Sequence, residues 1–224
     1  MTFAIAARCA ETGMFGVAVS SSSPAVAARC AHARAGVGAA TSQNVTDPAL
    51  GPRALDLLEL GASADQAIAV LAASGPAMAF RQVLLVDRDG RSAIHSGPRA
   101  LGIWAEAKDE NVACGGNMLA AVDVPAKMVA AFLASTGHLG DRLLIAMRAG
   151  LAAGGEAGPV HSAGLRLVRE VAWPVADLRV DWTEECPIAG LEALWARYKP
   201  QLDDYVARAL NPDSAPRYGV PGDP

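Results

Sequence analysis

The second residue of the chain is a threonine, preceded only by methionine. A small residue at this place permits removal of the initiator methionine, and Thr2 would then stand first with a free α-amine beside its hydroxyl. Such an amine has a pKa of about 7.7–8.0. It can therefore take the proton of its own side chain near neutral pH, which is the arrangement of a threonine nucleophile activated by the N-terminal amine. β-Branching stiffens the first side-chain torsion and helps aim the oxygen. With Met1 attached, the same nitrogen is an amide and cannot act as a base.

Other residues could serve such a nucleophile. Ser20 and Ser21 open a run of four serines, and their hydroxyls could line the site as donors; an ordinary polar loop would read the same way. His32 and Arg34 could supply positive charge, which would favour the neutral amine. Gln43, Asn44 and Asn117 carry side-chain amides suited to an oxyanion, and Gly115-Gly116 would let the backbone approach closely. Catalytic candidates are thus Thr2, Ser20, His32 and Arg34; substrate or oxyanion candidates are Ser21, Gln43, Asn44, Gly116 and Asn117. Cys114 beside the glycines is a rival nucleophile. The four histidines, His32, His95, His138 and His161, lack ligand spacing, so no metal is expected. No Gly-rich loop has the pattern of a nucleotide cradle, and no cofactor is expected.

These residues need elements to hold them. Residues 2–8 and 14–20 alternate as strands, joined by a turn-like stretch of hairpin length. A five-residue turn would set Arg8 opposite Met14 and Thr2 opposite Ser20. One face of the hairpin would then be lined by small residues and carry two hydroxyls at its open end. Further strands are expected at 30–34 and 36–43. Gly51-Pro52 opens a helix that ends near Gly61, and Ser63 with Gln66 forms a capping box for the next. A second strand block covers 80–113, turning at Asp89-Gly90. Helices follow at 122–134 and 139–152, strands at 161–171 and 174–181, and a long helix at 187–210. Grouped strands and grouped helices predict an α+β fold: a four-layer αββα sandwich of two mainly antiparallel sheets. Residues 1–210 are expected to form one domain and 211–224 a loose Pro-rich tail. The last helix carries an apolar stripe, Ile188, Leu191, Trp195, Tyr198, Leu202, Tyr205 and Ala209. It would dock onto its own core or form the seam of a homo-oligomer.

Composition bounds the rest. The 224 residues are 52% hydrophobic, 5% aromatic and 19% charged, which is a globular composition. A net charge of −4 argues against nucleic-acid binding by phosphate neutralisation. No apolar run reaches the roughly 18–20 residues of a membrane span. The first apolar stretch, cut off by Arg8, is too short for a signal peptide. No membrane association and a cytoplasmic location are expected, with the four cysteines free.

Several ordered blocks carry a resemblance. They are Thr2-Phe3-Ala4-Ile5-Ala6-Ala7-Arg8 with Glu11-Thr12-Gly13 and Gly16-Val17-Ala18-Val19-Ser20; Ala33-Arg34-Ala35-Gly36-Val37-Gly38-Ala39 with Thr41-Ser42-Gln43 and Gly51-Pro52-Arg53; Gly116-Asn117-Met118-Leu119-Ala120; and Asp177-Leu178-Arg179-Val180-Asp181. Over residues 2–195 the chain resembles domain-of-unknown-function family 1028. The resemblance implies the sandwich of the N-terminal-nucleophile hydrolases. It also implies hydrolysis of a small-molecule amide, a carbon–nitrogen bond other than a peptide bond, with Thr2 as nucleophile. The alternative is a catalytically silent member that binds a metabolite or serves in assembly. The chain departs from the family pattern at Cys114-Gly115, where Gln is usual. It departs again at Glu156-Ala157-Gly158-Pro159-Val160-His161-Ser162, where an acidic, basic and Gln-Ser stretch is usual. Both departures imply a difference in specificity or activity.

Overall fold

The structure is a computed structural model that describes residues 1–222. The first sheet contains β1 (Thr2–Arg8), β2 (Phe15–Ser21), β7 (Ala105–Asp109), β8 (Val112–Asn117), β9 (Ser162–Val168) and β10 (Ala176–Val180). Their order is β10-β9-β2-β1-β8-β7. The second sheet contains β3 (Ala31–Arg34), β4 (Gly38–Asn44), β5 (Arg81–Asp87) and β6 (Ser92–Ser96), in chain order. All strand pairs in both sheets are antiparallel.

Alternation along the strands gives each sheet two apolar faces, so each must be covered twice. The outer face of the first sheet presents Phe3, Ile5 and Ala18 to α4 (Val124–Ala134), α5 (Leu139–Ala152) and α6 (Pro187–Tyr198). The outer face of the second presents Val83 and Leu85 to α2 (Leu50–Glu59) and α3 (Ala64–Ala72). Between the sheets lie Ala4, Ala6, Val17, Val19, Leu84 and Val86. The fold is therefore the four-layer αββα sandwich that the order of elements implied. Ser63 and Gln66 close the capping box at the start of α3, with hydrogen bonds in both directions.

The hairpin register differs from expectation by one residue. The connection is six residues long, 9–14, closed by Cys9 N–H donating to the Met14 carbonyl at 2.8 Å. Arg8 therefore pairs with Phe15 and Phe3 with Ser20, not Thr2 with Ser20. A one-residue slip exchanges the faces of a strand. Thr2, Ala4 and Ala6 share their face with Val17, Val19 and Ser21, while Ser20 turns to the helices. The inter-sheet face is thus not uniformly small; alanines on β1 oppose valines on β2.

A short helix, α1 (Val26–Cys30), intervenes where the sequence suggested only a loop. The last helical stretch divides at Pro200 into α6, a 3-10 turn at Lys199–Gln201, and α7 (Leu202–Leu210). That turn resets the helical phase. Ile188, Leu191, Trp195 and Leu202 pack into the chain's own core, but beyond it Val206 is buried and Tyr205 faces solvent. Arg208 ties the following segment back: it donates to the carbonyls of Pro216 and Arg217 and lies 4.0 Å from the Tyr218 ring centre. The last two residues of the expected tail, 223 and 224, lie outside the described residues.

Candidate functional site

Strand register places a polar row at one end of an otherwise apolar sandwich. Thr2 pairs with Asn117 on β8, and by the same register faces Ser21 on β2, which pairs with Ser162 on β9. Directly opposed residues point to the same side. Ser162, Ser21, Thr2 and Asn117 therefore form one line across the first sheet, all facing the second. The facing rank of the second sheet is also polar: Gln43 pairs with Gln82, and Gln82 with Ser96. Gln43 Nε2 donates to Gln82 Oε1 at 2.7 Å and to the Gly115 carbonyl at 3.2 Å. Gln82 Nε2 reaches Ser96 Oγ at 3.0 Å and the Gly116 carbonyl at 3.3 Å. Gly115 leaves room for this crossing on the inter-sheet side, whereas Gly116 makes room for Leu119 on the helix side. A Cβ on Gly115 would lie 3.0 Å from Leu84, and one on Gly116 would lie 2.5 Å from Leu119.

Three buried polar atoms in this zone have no protein partner: Gln43 Oε1, Asn117 Nδ2 and Thr41 Oγ1. Gln43 is 0% exposed and Asn117 1%. An unmade hydrogen bond on a buried group costs about 1–3 kcal/mol. A free amide donor, an amide acceptor and a hydroxyl that can do either thus lie on the facing inner sides of the two sheets.

The strands that build the rows end in strained turns. Asn44, Met118 and Ala25 all have positive φ, at 81°, 48° and 50°. Asn44 is the last residue of β4, Met118 directly follows β8, and Ala25 lies four residues beyond β2. Non-glycine residues in this region carry a conformational cost and gather where a site is held open. Asn44 compensates by bracing two loops, donating to the Phe80 carbonyl at 2.6 Å and accepting from Leu101 N–H at 3.2 Å. It acts there as a strut.

Thr2 itself is 6% exposed and lies under Met1, which is 40% exposed. The Thr2 and Ser21 hydroxyls both donate to the Met1 carbonyl. Thr2 Oγ1 and Ser21 Oγ are 3.4 Å apart.

Beyond Thr2, the slot beside β8 is filled by a distant segment. Extending the register would place Met1 against Met118 and any preceding residue against Leu119. Instead Leu119 bridges to Glu156, Ala157 N–H donates to the Met118 carbonyl at 2.9 Å, and Ala120 N–H donates to the Gly155 carbonyl at 3.0 Å. The same loop returns to β2, where His161 N–H donates to the Ser21 carbonyl. It therefore arches across the start of β1. Glu156 is 4% exposed, and its carboxyl oxygens accept from Ser22 N–H at 3.1 and 3.2 Å. Burial pushes its pKa up to about 7, against the opposing pull of the chain-start charge, the Ser22 hydrogen bonds and His161.

The structure gathers Thr2, Ser21, Gln43, Gly116 and Asn117 at this end, with Asn44 at its border. It does not bring Ser20, His32 or Arg34 to Thr2. Ser20 points to the opposite face of its sheet and donates to the Ser162 carbonyl at 3.0 Å. His32 and Arg34 lie on the outer face of β3, because Ala31 and Ala33 take the inter-sheet face. The His32 ring fills the space over Gly51, where a Cβ would come within 2.1 Å of it. Burial lowers its pKa, and the Arg166 charge adds to that, against a hydrogen bond to the Arg29 carbonyl. Arg34 pairs with Asp56 at 2.8 Å and Glu59 at 2.5 Å on α2. Gly116 lies inside the sheet, paired with Phe3 on one side and Ala105 on the other. Cys114 is fully buried on the helix-facing side, and burial raises its thiol well above the usual range. It is no thiolate nucleophile.

Sequence reasoning missed Gln82, Glu156 and Ser162 as members of this end. Gln82 reads as the first residue of an apolar run, and Ser162 lies near the start of the strand expected at 161–171, at the end of the same departing stretch as Glu156. The one signal for Glu156 was its place in the stretch that departs from the family pattern. Among the described residues, no three His, Cys, Asp or Glu side chains converge as a metal-holding group. No helix among them is long and apolar enough to cross a membrane.

Among solved structures, one crystal structure shares this architecture. Protein SPO2555 from Silicibacter pomeroyi, a crystal structure described under family model DUF1028, is 27% identical over 88% of each chain, with a TM-score of 0.81. Anbu, the ancestral beta-subunit from Yersinia bercovieri, aligns over 91% of this chain and 97% of its own at 12% identity and a TM-score of 0.38. No curated protein matches the chain. The model of the family of unknown function DUF1028 matches residues 2–191, and the chain belongs to that family.

Proposed function

We propose that the protein is an amide hydrolase, splitting a carbon–nitrogen bond in a small molecule with Thr2 as nucleophile once Met1 is gone. The observation that carries this reading is the unpartnered Asn117 amide beside the Thr2 hydroxyl, on the same face and at the same rank. In the proposed reaction Thr2 Oγ1 attacks the carbonyl carbon and its proton passes to the free α-amine. Asn117 Nδ2 is the donor for the oxyanion that forms. The C–N bond then breaks, the proton moves to the departing nitrogen, and an ester on Thr2 remains. Water cleaves that ester, releasing a carboxylic acid and restoring the hydroxyl. Ser21, now bonded to the Met1 carbonyl, is left free to orient the nucleophile or the water.

The test uses protein released from a fusion so that Thr2 is the first residue. A β-lactone offered to it should add once, on the peptide that begins with Thr2, and Thr2→Ala should take none. Equal labelling of Thr2→Ala removes Thr2 from the mechanism. A catalytically silent protein is the second reading, and the Met1 carbonyl that occupies both hydroxyls favours it for as long as Met1 is attached. Intact mass of protein from its natural source decides between them: complete retention of Met1 supports the silent reading.

A further inference from the structure

Glu156 has no function in the reaction as written above, yet its placement is unusual. A carboxyl is seldom buried without a cation or several donors. Here, among the described residues, the hydrogen bonds to its carboxyl come from Ser22 alone, a neutral residue. Its backbone occupies the ladder position on β8 two ranks beyond Thr2, in line with β1. The opposite edge of β8 at this level is taken by Leu101 and Ile103, whose carbonyls accept from Met118 and Leu119. Glu156 is therefore held on the side from which the Thr2 nitrogen emerges. The titratable groups that face it are the α-amine at the chain start, which is Met1's while Met1 is attached, and His161. His161 in turn has the Glu184 carboxylate 3.7 Å behind it and stacks on Trp182 at 4.4 Å.

We infer that Glu156 is the proton partner of the Thr2 α-amine, the two groups sharing one proton across neutral pH. The inference rests on the reading of Thr2 as a free N-terminus. An ammonium beside a carboxylate and an amine beside a carboxylic acid differ only in where that proton sits. In water the charged form dominates. Burial raises its cost, so the neutral form gains population. The amine is then available as a base below its ordinary pKa, while the proton stays stored one group away on Glu156. The amine passes the proton it took from Thr2 Oγ1 to the departing nitrogen and is neutral again, while Glu156 keeps its own proton throughout. Such a pair titrates in two steps that belong to both groups together. Glu156 acts through the amine and is a positioning residue in this sense, not a group that touches substrate.

The test reads the amine directly and needs no substrate. Competitive acetylation of Met-free protein with acetic anhydride, followed by mass spectrometry of the first peptide, gives the fraction of free amine at each pH. The unmodified protein should titrate in two steps. Glu156→Gln, which keeps an acceptor for Ser22 N–H, should titrate in one step whose midpoint falls between those two, because the amine then titrates beside a permanently neutral partner. Coincident titrations in the two proteins overturn the inference. If Glu156→Gln does not fold, 13C-labelled glutamate in the unmodified protein serves instead: the Glu156 carboxyl must show the same two midpoints as the amine, and independent titration overturns the proposal. A two-step amine in protein that resists β-lactone would refute Thr2 as nucleophile while leaving the shared proton standing.

Discussion

Replacing Asn117 by Leu separates a catalytic from a structural amide. Its Nδ2 is buried without a partner, an arrangement that costs about 1–3 kcal/mol. Leu removes that cost and adds apolar surface beside Thr2. Against this stands the strain of a bulkier branched end, about 1–3 kcal/mol when a packed site is overfilled. The two contributions offset, so stability should stay within about 1 kcal/mol of the starting protein. The acylation rate should behave otherwise, because loss of one oxyanion donor slows such reactions by about 10²–10³, or 2.7–4 kcal/mol. Urea denaturation gives the first quantity, and the rate of β-lactone adduct formation on Met-free protein gives the second. A structural amide would produce the reverse pattern. Destabilisation by several kcal/mol with an unchanged acylation rate refutes the oxyanion assignment.

Adjacent serines on β2 should differ sharply. Ser21→Ala removes the hydroxyl that faces Thr2 and should slow acylation tenfold or more, whereas Ser20→Ala should leave that rate unchanged and cost about 1 kcal/mol for its lost bond to the Ser162 carbonyl. Equal effects on acylation would contradict the hairpin register. The buried His32 gives a pH signature: its folded-state pKa lies below the ordinary value of about 6.5, so the unfolded chain takes up a proton first as pH falls. Its contribution to stability is present above 6.5 and is lost as pH falls through the lower folded value. Urea midpoints measured from pH 7 to 5 should decline, and His32→Gln should flatten that decline; an unaltered slope would assign the loss to other groups.

Most of the layer order was legible because it depends on local signals. Period-two alternation in 2–8 and the Ser63–Gln66 box act over a few residues and hold whatever surrounds them. Register was less accessible. The choice between a five- and a six-residue connection rests on how Cys9 and Met14 close the turn, and that one residue exchanges Ser20 for Ser21 beside Thr2. His32 and Arg34 were drawn toward the site by their charge, but alternation on β3 assigns the inter-sheet face to Ala31 and Ala33. Glu156 had no periodic context at all. Its environment is made by β1, β2 and β8, all far away in sequence, and only the assembled sheet reveals why an acid stands there. The phase change at Pro200 is half legible: a proline there cannot donate the helix hydrogen bond, but the neighbours decide that Val206 takes over from Tyr205.

The arch at 155–161 has a practical consequence for anyone producing the protein. A purification handle fused ahead of Met1 finds no free lane along β8, since Ala157 and Glu156 already lie in it. It also keeps the Thr2 nitrogen in an amide, where it cannot act as a base. A handle belongs at the other terminus, where Tyr218, Val220 and Gly222 are open to solvent.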